Sequence, residues 1–301
     1  TSYTNVTEVW TGAGAPVGVW ASGGNTNTIR SQAAGSGADK DAALIFGGYD
    51  NTAATVNTEK YNGTSWTEVN NLGTARRYIA GCGTDTAALC TGGFSTAADN
   101  ENELWNGTNW TEVNDLSRPS GQMDASEFGT TTAALYFGGE PASALTEQWN
   151  GTNWTEVNDL NTGRFALTGF GTTSAGIAAG GRAPSVTGAS ENWNGTNWTE
   201  VNDLNTARGD LSASQAASST TGIVFIGSTG NHTNTVANTE SYNGAIWTET
   251  TDLSTARYRG MGAGTGTSAI CATGYNGTAR IASTEEWTGA GAGLTRTFDD
   301  S

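Results

Sequence analysis

WNGTNWTEVNDLNTAR, from Trp193 to Arg208, decides the reading of this chain, because copies of it recur at a near-constant interval. WNGTNWTEVNDLNTGR runs from Trp149 to Arg164, and WNGTNWTEVNDL begins at Trp105. Looser copies, YNGTSWTEVNNLGTAR and YNGAIWTETTDLSTAR, begin at Tyr61 and Tyr242. Two anchors register the repeat. One is a diglycine after an apolar run: Gly47-Gly48, Gly92-Gly93, Gly138-Gly139 and Gly180-Gly181, degraded to Gly227-Ser228 and Thr273-Gly274, in steps of 45, 46, 42, 47 and 46 residues. The other is Glu followed two residues later by an aromatic: Glu8/Trp10, Glu59/Tyr61, Glu103/Trp105, Glu147/Trp149, Glu191/Trp193, Glu240/Tyr242 and Glu285/Trp287. A period near 45 is too long for leucine-rich solenoids and suits four short strands per unit.

Within a unit, one strand follows the Arg, as at Arg76 to Cys82, and a small turn leads into a second at Ala87 to Thr91. The diglycine opens a loop, a third strand runs into the aromatic, and Asn-Gly turns the chain into a fourth carrying Trp-Thr-Glu-Val. Asn-Gly tolerates positive φ at both central positions and is a strong hairpin signal. A four-stranded antiparallel unit has two faces to bury, so stacking units face to face in a ring is the stable solution. The expectation is one all-β propeller domain over residues 1–301, with units near 30–69, 76–113, 118–157, 164–201, 208–250 and 257–298 and a half unit at 5–21.

Six diglycine hairpins against seven Glu-x-aromatic strands leave the closure open. The chain starts with a third-type strand (Asn5 to Trp10) and a fourth-type strand (Val17 to Ala21), and ends with Ile281 to Trp287 and Leu294 to Phe298. Seven blades with one half built is the first expectation. Six blades, with the N-terminal pair completing the last sheet and the C-terminal pair displaced, is the alternative, and a spare pair that adds to a neighbouring molecule is the third.

Composition narrows the function classes. A net charge of −16 with 13 Lys and Arg argues against nucleic acid, which needs clustered cations. Hydrophobic residues are only 36% of the chain, and no apolar run approaches a membrane-spanning length. No secretory signal stands at the start, and Thr1 occupies the place of an initiator Met, so the chain is expected to be processed or part of something longer. Cys90 and Cys271 share a slot with Ile45, Tyr136, Ala178 and Phe225, which reads as core, and a bridge from Cys82 to Cys90 across a hairpin is a second option.

Arg30, Arg76, Arg164, Arg208 and Arg257 each lie ten residues after a Trp, while Arg118 breaks that spacing beside Pro119. They could ring a channel mouth as an anion site. The favoured reading pairs them between blades with the equally periodic Glu59, Glu103, Glu147, Glu191 and Glu240, because buried Arg needs a partner. Trp66, Trp110, Trp154, Trp198 and Trp247 read as packing between blades rather than as a sugar-stacking platform. The Asn-Gly-Thr sequons follow from the turn. His232, the one His, has no carboxylate nearby in sequence, so a hydrolytic triad, a His-based metal centre and any cofactor are not expected. The loops after the diglycines vary most, which makes their face the expected binding surface, through exposed Tyr49, Phe94, Arg182, His232 and Tyr275.

Apolar strand, diglycine, later aromatic and Trp at this spacing resemble the kelch class of β-propeller over nearly the whole chain. The WNGTNWTEVNDLNTAR phrase with GTTTAAL-type hairpins is also similar to repeats in structural proteins of marine tailed phages, cyanophages especially. That resemblance implies a non-enzymatic virion-surface or tail-associated adhesin, extracellular or on the virion, recognising a host-surface glycan or protein. Its alternative is a structural module that contacts other virion subunits or self-associates.

Overall fold

The computed structural model describes residues 18–117, 124–230, 232 and 234–289. All regular structure among them is β, in six four-stranded antiparallel sheets. In the first, Ala34–Asp39, Ala42–Phe46, Thr58–Tyr61 and Trp66–Val69 pair in chain order. We number this blade I (34–69), followed by II (80–113), III (126–157), IV (168–201), V (212–249) and VI (261–288). The Asn-Gly turns use their residues differently from the two-residue hairpin expected. Four residues separate the strands, only the Gly has positive φ (86° at Gly63, 91° at Gly195), and the Asn caps the turn, Asn62 Oδ1 accepting from the Thr64 and Ser65 amides.

The ring has six blades, not seven. Blade VI keeps the C-terminal strand Thr284–Thr288, which the six-blade alternative had displaced, and takes only its outer strand from the other end of the chain: Val19–Gly23 pairs with Thr284–Thr288, and Trp20 lies opposite Trp287 as Trp66 lies opposite Tyr61. Its inner strand, Met261–Gly264, then abuts the inner strand of blade I, where a Cβ on Gly35 would meet Met261 Cγ at 2.2 Å, so no half blade fits between them. The expected strands at 5–10 and 294–298 lie outside the described residues.

Apolar residues gather into one cluster at each of the six junctions. At the I–II junction Leu44 and Phe46 meet Ala88, Cys90 and Trp105, with Leu72 of the connecting segment between them. Toward the axis the wedge narrows: a Cβ on Gly81 would sit 2.5 Å from Phe46 Cζ. The outer-strand Trp residues reach back to the preceding blade, Trp66 Nε1 donating to Thr284 Oγ1, Trp110 to Thr58, Trp198 to Thr146 and Trp20 to Thr239, all at 3.0–3.1 Å. Trp66, Trp154, Trp198 and Trp247 are buried and Trp110 half-buried. On the rim, Asn70, Asn114 and Asn158 each donate to the Asn-Gly turn of the next blade.

One register expectation needs correction. The degraded diglycine of blade V is Ile226-Gly227 rather than Gly227-Ser228. Gly227 N donates to Arg257 O as Gly48 N donates to Arg76 O, and Ile226 has the φ of 55° that Gly47 has at 59°. A β-branched residue there is strained. Space for it comes from blade VI. A Cβ on Gly47 or Gly138 would run into Ile79 or Leu167 at 2.6–2.7 Å, whereas the position facing Ile226 is Gly260. Large and small have traded places across the junction, and the register shifts with them: Val224, not Phe225, is the counterpart of Ile45, since each lies opposite the repeated Glu.

Two outcomes follow from this packing. Trp20→Ala, which empties the contact that closes the ring, should cost about 3 kcal/mol in urea unfolding, while Ile246→Ala, at an exposed turn, should change little. Gly260→Leu should destabilise by about 1–3 kcal/mol alone, and much less when Ile226→Gly is present, a coupling that a double-mutant cycle reads directly.

Candidate binding face

The repeated Arg does not open onto a channel mouth. Arg30, Arg76, Arg164, Arg208 and Arg257 are all fully buried. Arg76 Nη2 and Arg164 Nη2 donate to Glu103 and Glu191 at 2.9 Å, and Arg30, Arg208 and Arg257 pair with Glu59, Glu240 and Glu285. Each pair lies within one unit rather than between blades, which corrects the expectation. The coupling between blades passes through the connector. The second carboxylate oxygen accepts a backbone amide of the incoming chain, from Asn27, Gly73, Asn161, Asn205 and Ser254 to Glu59, Glu103, Glu191, Glu240 and Glu285 at 2.6–2.7 Å. Glu147 takes both the amide and the hydroxyl of Ser117. Arg118 lies outside the described residues.

Just beyond each Arg the chain enters a closed backbone circuit. Gln32, Tyr78, Asp124, Ala166, Asp210 and Arg259, one per blade, all have φ of 53–61°. Each amide donates to the carbonyl of its predecessor, Tyr78 to Gln32, Asp124 to Tyr78, Ala166 to Asp124, Asp210 to Ala166, Arg259 to Asp210 and Gln32 to Arg259, at 2.7–3.4 Å. Together with the next residue of each strand they line an axial cavity of about 90 Å³. The opposite mouth, lined by Gly, Ala and Thr, is wider, at about 510 Å³, and carries no charged group.

The side chains around the circuit divide into two sectors. Toward blades IV and V, Asp210 is buried between Arg182 at 2.8 Å and Arg259 at 2.7 Å, with His232 Nδ1 at 3.0 Å. Burial opposes its charge, but these partners outweigh burial and hold the carboxyl well below its usual range. Asp124, 3.0 Å from Arg259, goes the other way. Burial, with Asp210 nearby, raises it to about 6 despite that arginine. Arg182 is 3% exposed and anchors Asp210 and the Gly230 carbonyl, so it is not the exposed contact residue expected of it.

Toward blades VI, I and II the face is built from arginines and aromatic rings. Arg77 lies over Tyr49 (4.7 Å), Phe94 (5.3 Å) and Tyr78 (5.3 Å). Arg280 lies over Tyr49 (4.4 Å) and Tyr275 (5.9 Å), Tyr275 meets Tyr258 at 5.5 Å, and Arg259 covers Tyr258 and Tyr78. The contacts form a closed loop of side chains from three blades. Tyr49, Phe94 and Tyr275, singled out from the sequence, come together here, each half-buried, while His232 reaches Tyr258 from the far side at 5.7 Å. Arg77, Tyr78, Tyr258, Arg259 and Arg280 were not anticipated. Their signal was available: immediately after the repeated Arg, other copies read Ser31-Gln32, Phe165-Ala166 and Gly209-Asp210, whereas these read Arg77-Tyr78 and Tyr258-Arg259.

Buried groups elsewhere are structural in their surroundings. The three Cys are free. Cys82 pairs with Leu89 and Cys90 with Gly81 in the ladder, so the two thiols point to opposite faces of blade II and a bridge between them is excluded. Burial pushes the Cys90 thiol up to about 12. Glu127 stands where blades I, II, IV and VI have Gly35, Gly81, Gly169 and Gly262, and faces Thr91 where Gly81 faces Phe46. Its Oε1 meets Cys82 Sγ at 3.4 Å, and burial raises its carboxyl to about 8.

Compared with known proteins, the chain matches no family model and no curated protein sequence. The fold, six repeated blades with loop clusters on a rigid ring, fits a non-enzymatic binding module.

Two measurements test these assignments. Because Glu127 is protonated in the folded state and ionises near 4.5 when unfolded, its contribution is full below that pH and is lost as pH rises to about 8. Urea midpoints of wild type minus those of Glu127→Gln should therefore fall across that window and level off above it. Asp210→Asn, which strips a carboxylate from Arg182 and Arg259, should cost about 3 kcal/mol, whereas Arg77→Ala and Arg280→Ala should each stay within about 0.5 kcal/mol of wild type.

Proposed function

We propose that the chain is a non-enzymatic adhesin propeller, displayed on a virion surface or tail, whose diglycine-loop face engages a glycan or protein on the host cell. The observation that carries this reading is the distribution of cations. Among the described residues of a chain with net charge −16, every Arg outside the buried Arg–Glu pairs lies on this one face, interleaved with Tyr and Phe. Arg and Tyr are the residue types that carry binding energy at recognition surfaces. The repeated rim instead presents Glu68, Glu112, Glu156 and Glu200 to solvent. The acid–base chemistry of a hydrolase has little support here, since Asp124 and Asp210 are tied to arginines. The kelch resemblance and the phage-type repeat phrase bear on the setting, and the face bears on the act of binding.

The test is binding of labelled protein to candidate host cells and to an immobilised glycan set. Tyr49→Ala, Phe94→Ala and Tyr275→Ala should each weaken attachment at least tenfold, while Ile246→Ser, on the opposite face, should leave it unchanged. Attachment indifferent to all three aromatic variants would overturn the assignment of this face. Concentration-dependent assembly without attachment would favour the structural-module reading.

A further inference from the structure

We infer that the ligand of this face is an acidic saccharide, its carboxylate or sulfate held between Arg77 and Arg280 beside Tyr49. The inference rests on the face being the binding surface and adds the chemistry of what it binds. Among the described residues, the cations outside this pair meet a carboxylate: the five buried arginines, Arg182 and Arg259 at Asp210, Lys40 at Asp41 and Lys60 at Asp85. Arg77 and Arg280 do not. In a protein with 29 acidic residues, two cations left without one mark a place where negative charge is to come from outside.

The pair is also held in place. Both guanidinium carbons lie within 4.7 Å of the same Tyr49 ring centre, so they are at most about 9 Å apart. Arg280 is fixed by neutral partners, Ser31 Oγ at 3.0 Å and Asn51 Oδ1 at 2.6 Å, which orient it without cancelling its charge. Arg77 is positioned by rings alone, leaving its planar donor fork to meet two oxygens of one anionic group. Half-buried Phe94 and Tyr275 flank the pair and offer apolar ring surface of the kind that the C–H face of a pyranose stacks on.

The surroundings favour a sugar over other anions. A densely charged polyphosphate needs many cations and would be repelled by the acidic rim. A protein partner needs a desolvated apolar centre, and the exposed large hydrophobics, Val19, Ile29 and Ile246, are not in this patch. One negative charge per sugar, spaced along a hydroxyl-rich chain, fits two cations among aromatic rings.

The experiment is calorimetric titration of the full chain with an oligouronate, its carboxyl-reduced neutral counterpart, and a sulfated neutral oligosaccharide of equal length, at low and high salt. Binding of either charged oligomer, absent with the neutral one, weakened by salt and reduced at least tenfold by Arg77→Ala and by Arg280→Ala, is the expected result, and the preference between the two names the anion. Equal binding of the neutral oligomer, lost in Tyr49→Ala, would overturn the charge inference and leave the face assignment standing. Cell attachment that needs Tyr49 but survives loss of both arginines would do the same. Attachment indifferent to every one of these variants would remove the face assignment as well.

Discussion

A short four-stranded sheet with apolar side chains on both surfaces cannot exist alone in water, and everything else in this molecule follows from the need to cover both. Each junction cluster is shared by two blades, so no blade is finished until its neighbours are present. The requirement propagates until the last blade meets the first. Covalent continuity does not reach that junction, and the chain closes it by lending Val19–Gly23 to blade VI, with Trp20 packed on Trp287 and Phe225. The ring is thereby stapled by an outer strand from one end of the chain and three inner ones from the other.

The buried Arg–Glu pairs are a consequence of that geometry rather than its cause. A connector must run from the rim of one blade to the axis of the next, and it carries backbone amides into a dry space. The repeated Glu satisfies those amides with one oxygen, and its charge is met by Arg with the other, while Arg also caps the carbonyls left by the diglycine turn, as Arg76 does at Gly92 and Glu101. A buried ion pair is weak evidence of net stability, but here it fixes where the connector sits. From that fixed point the next residues enter the left-handed circuit about the axis, and the loop face is set by it.

Repetition made most of this legible in the sequence. Strand count per unit, the antiparallel order and the packing role of the Trp series all follow from period and residue type, because each is imposed many times. What was hard to read occurs once. Closure is a single event, and the choice of six blades over seven depends on which sheet receives one Trp-bearing strand. The shift at Ile226-Gly227 was hidden because a residue that normally cannot take positive φ does so, compensated by Gly260 in another blade. Arg182 looked like a loop residue free to bind, yet Asp210, a position where other copies have Gln32 or Ala166, draws it inward. Pairwise compensation of this kind leaves no local mark in sequence.

The same distinction locates function. Positions that recur from blade to blade answer to the ring: the described repeated Arg pair with Glu, the turn Asn caps its own turn, and the outer-strand Trp pack into the junctions. A ring of identical blades would present six identical, acidic sectors. Around the axis on the loop face, the residues following the repeated Arg and those following the diglycine differ from blade to blade, although isolated bridges such as Arg77 to Phe94 and Tyr258 to Tyr275 join them. There Arg77, Arg259 and Arg280 stand with a set of tyrosines in adjacent blades VI, I and II, close enough to touch. These side chains, gathered from separate stretches of sequence in three blades into one contact loop, are not imposed by the repeat. The proposed recognition of a ligand would account for both their chemistry and their confinement to one sector.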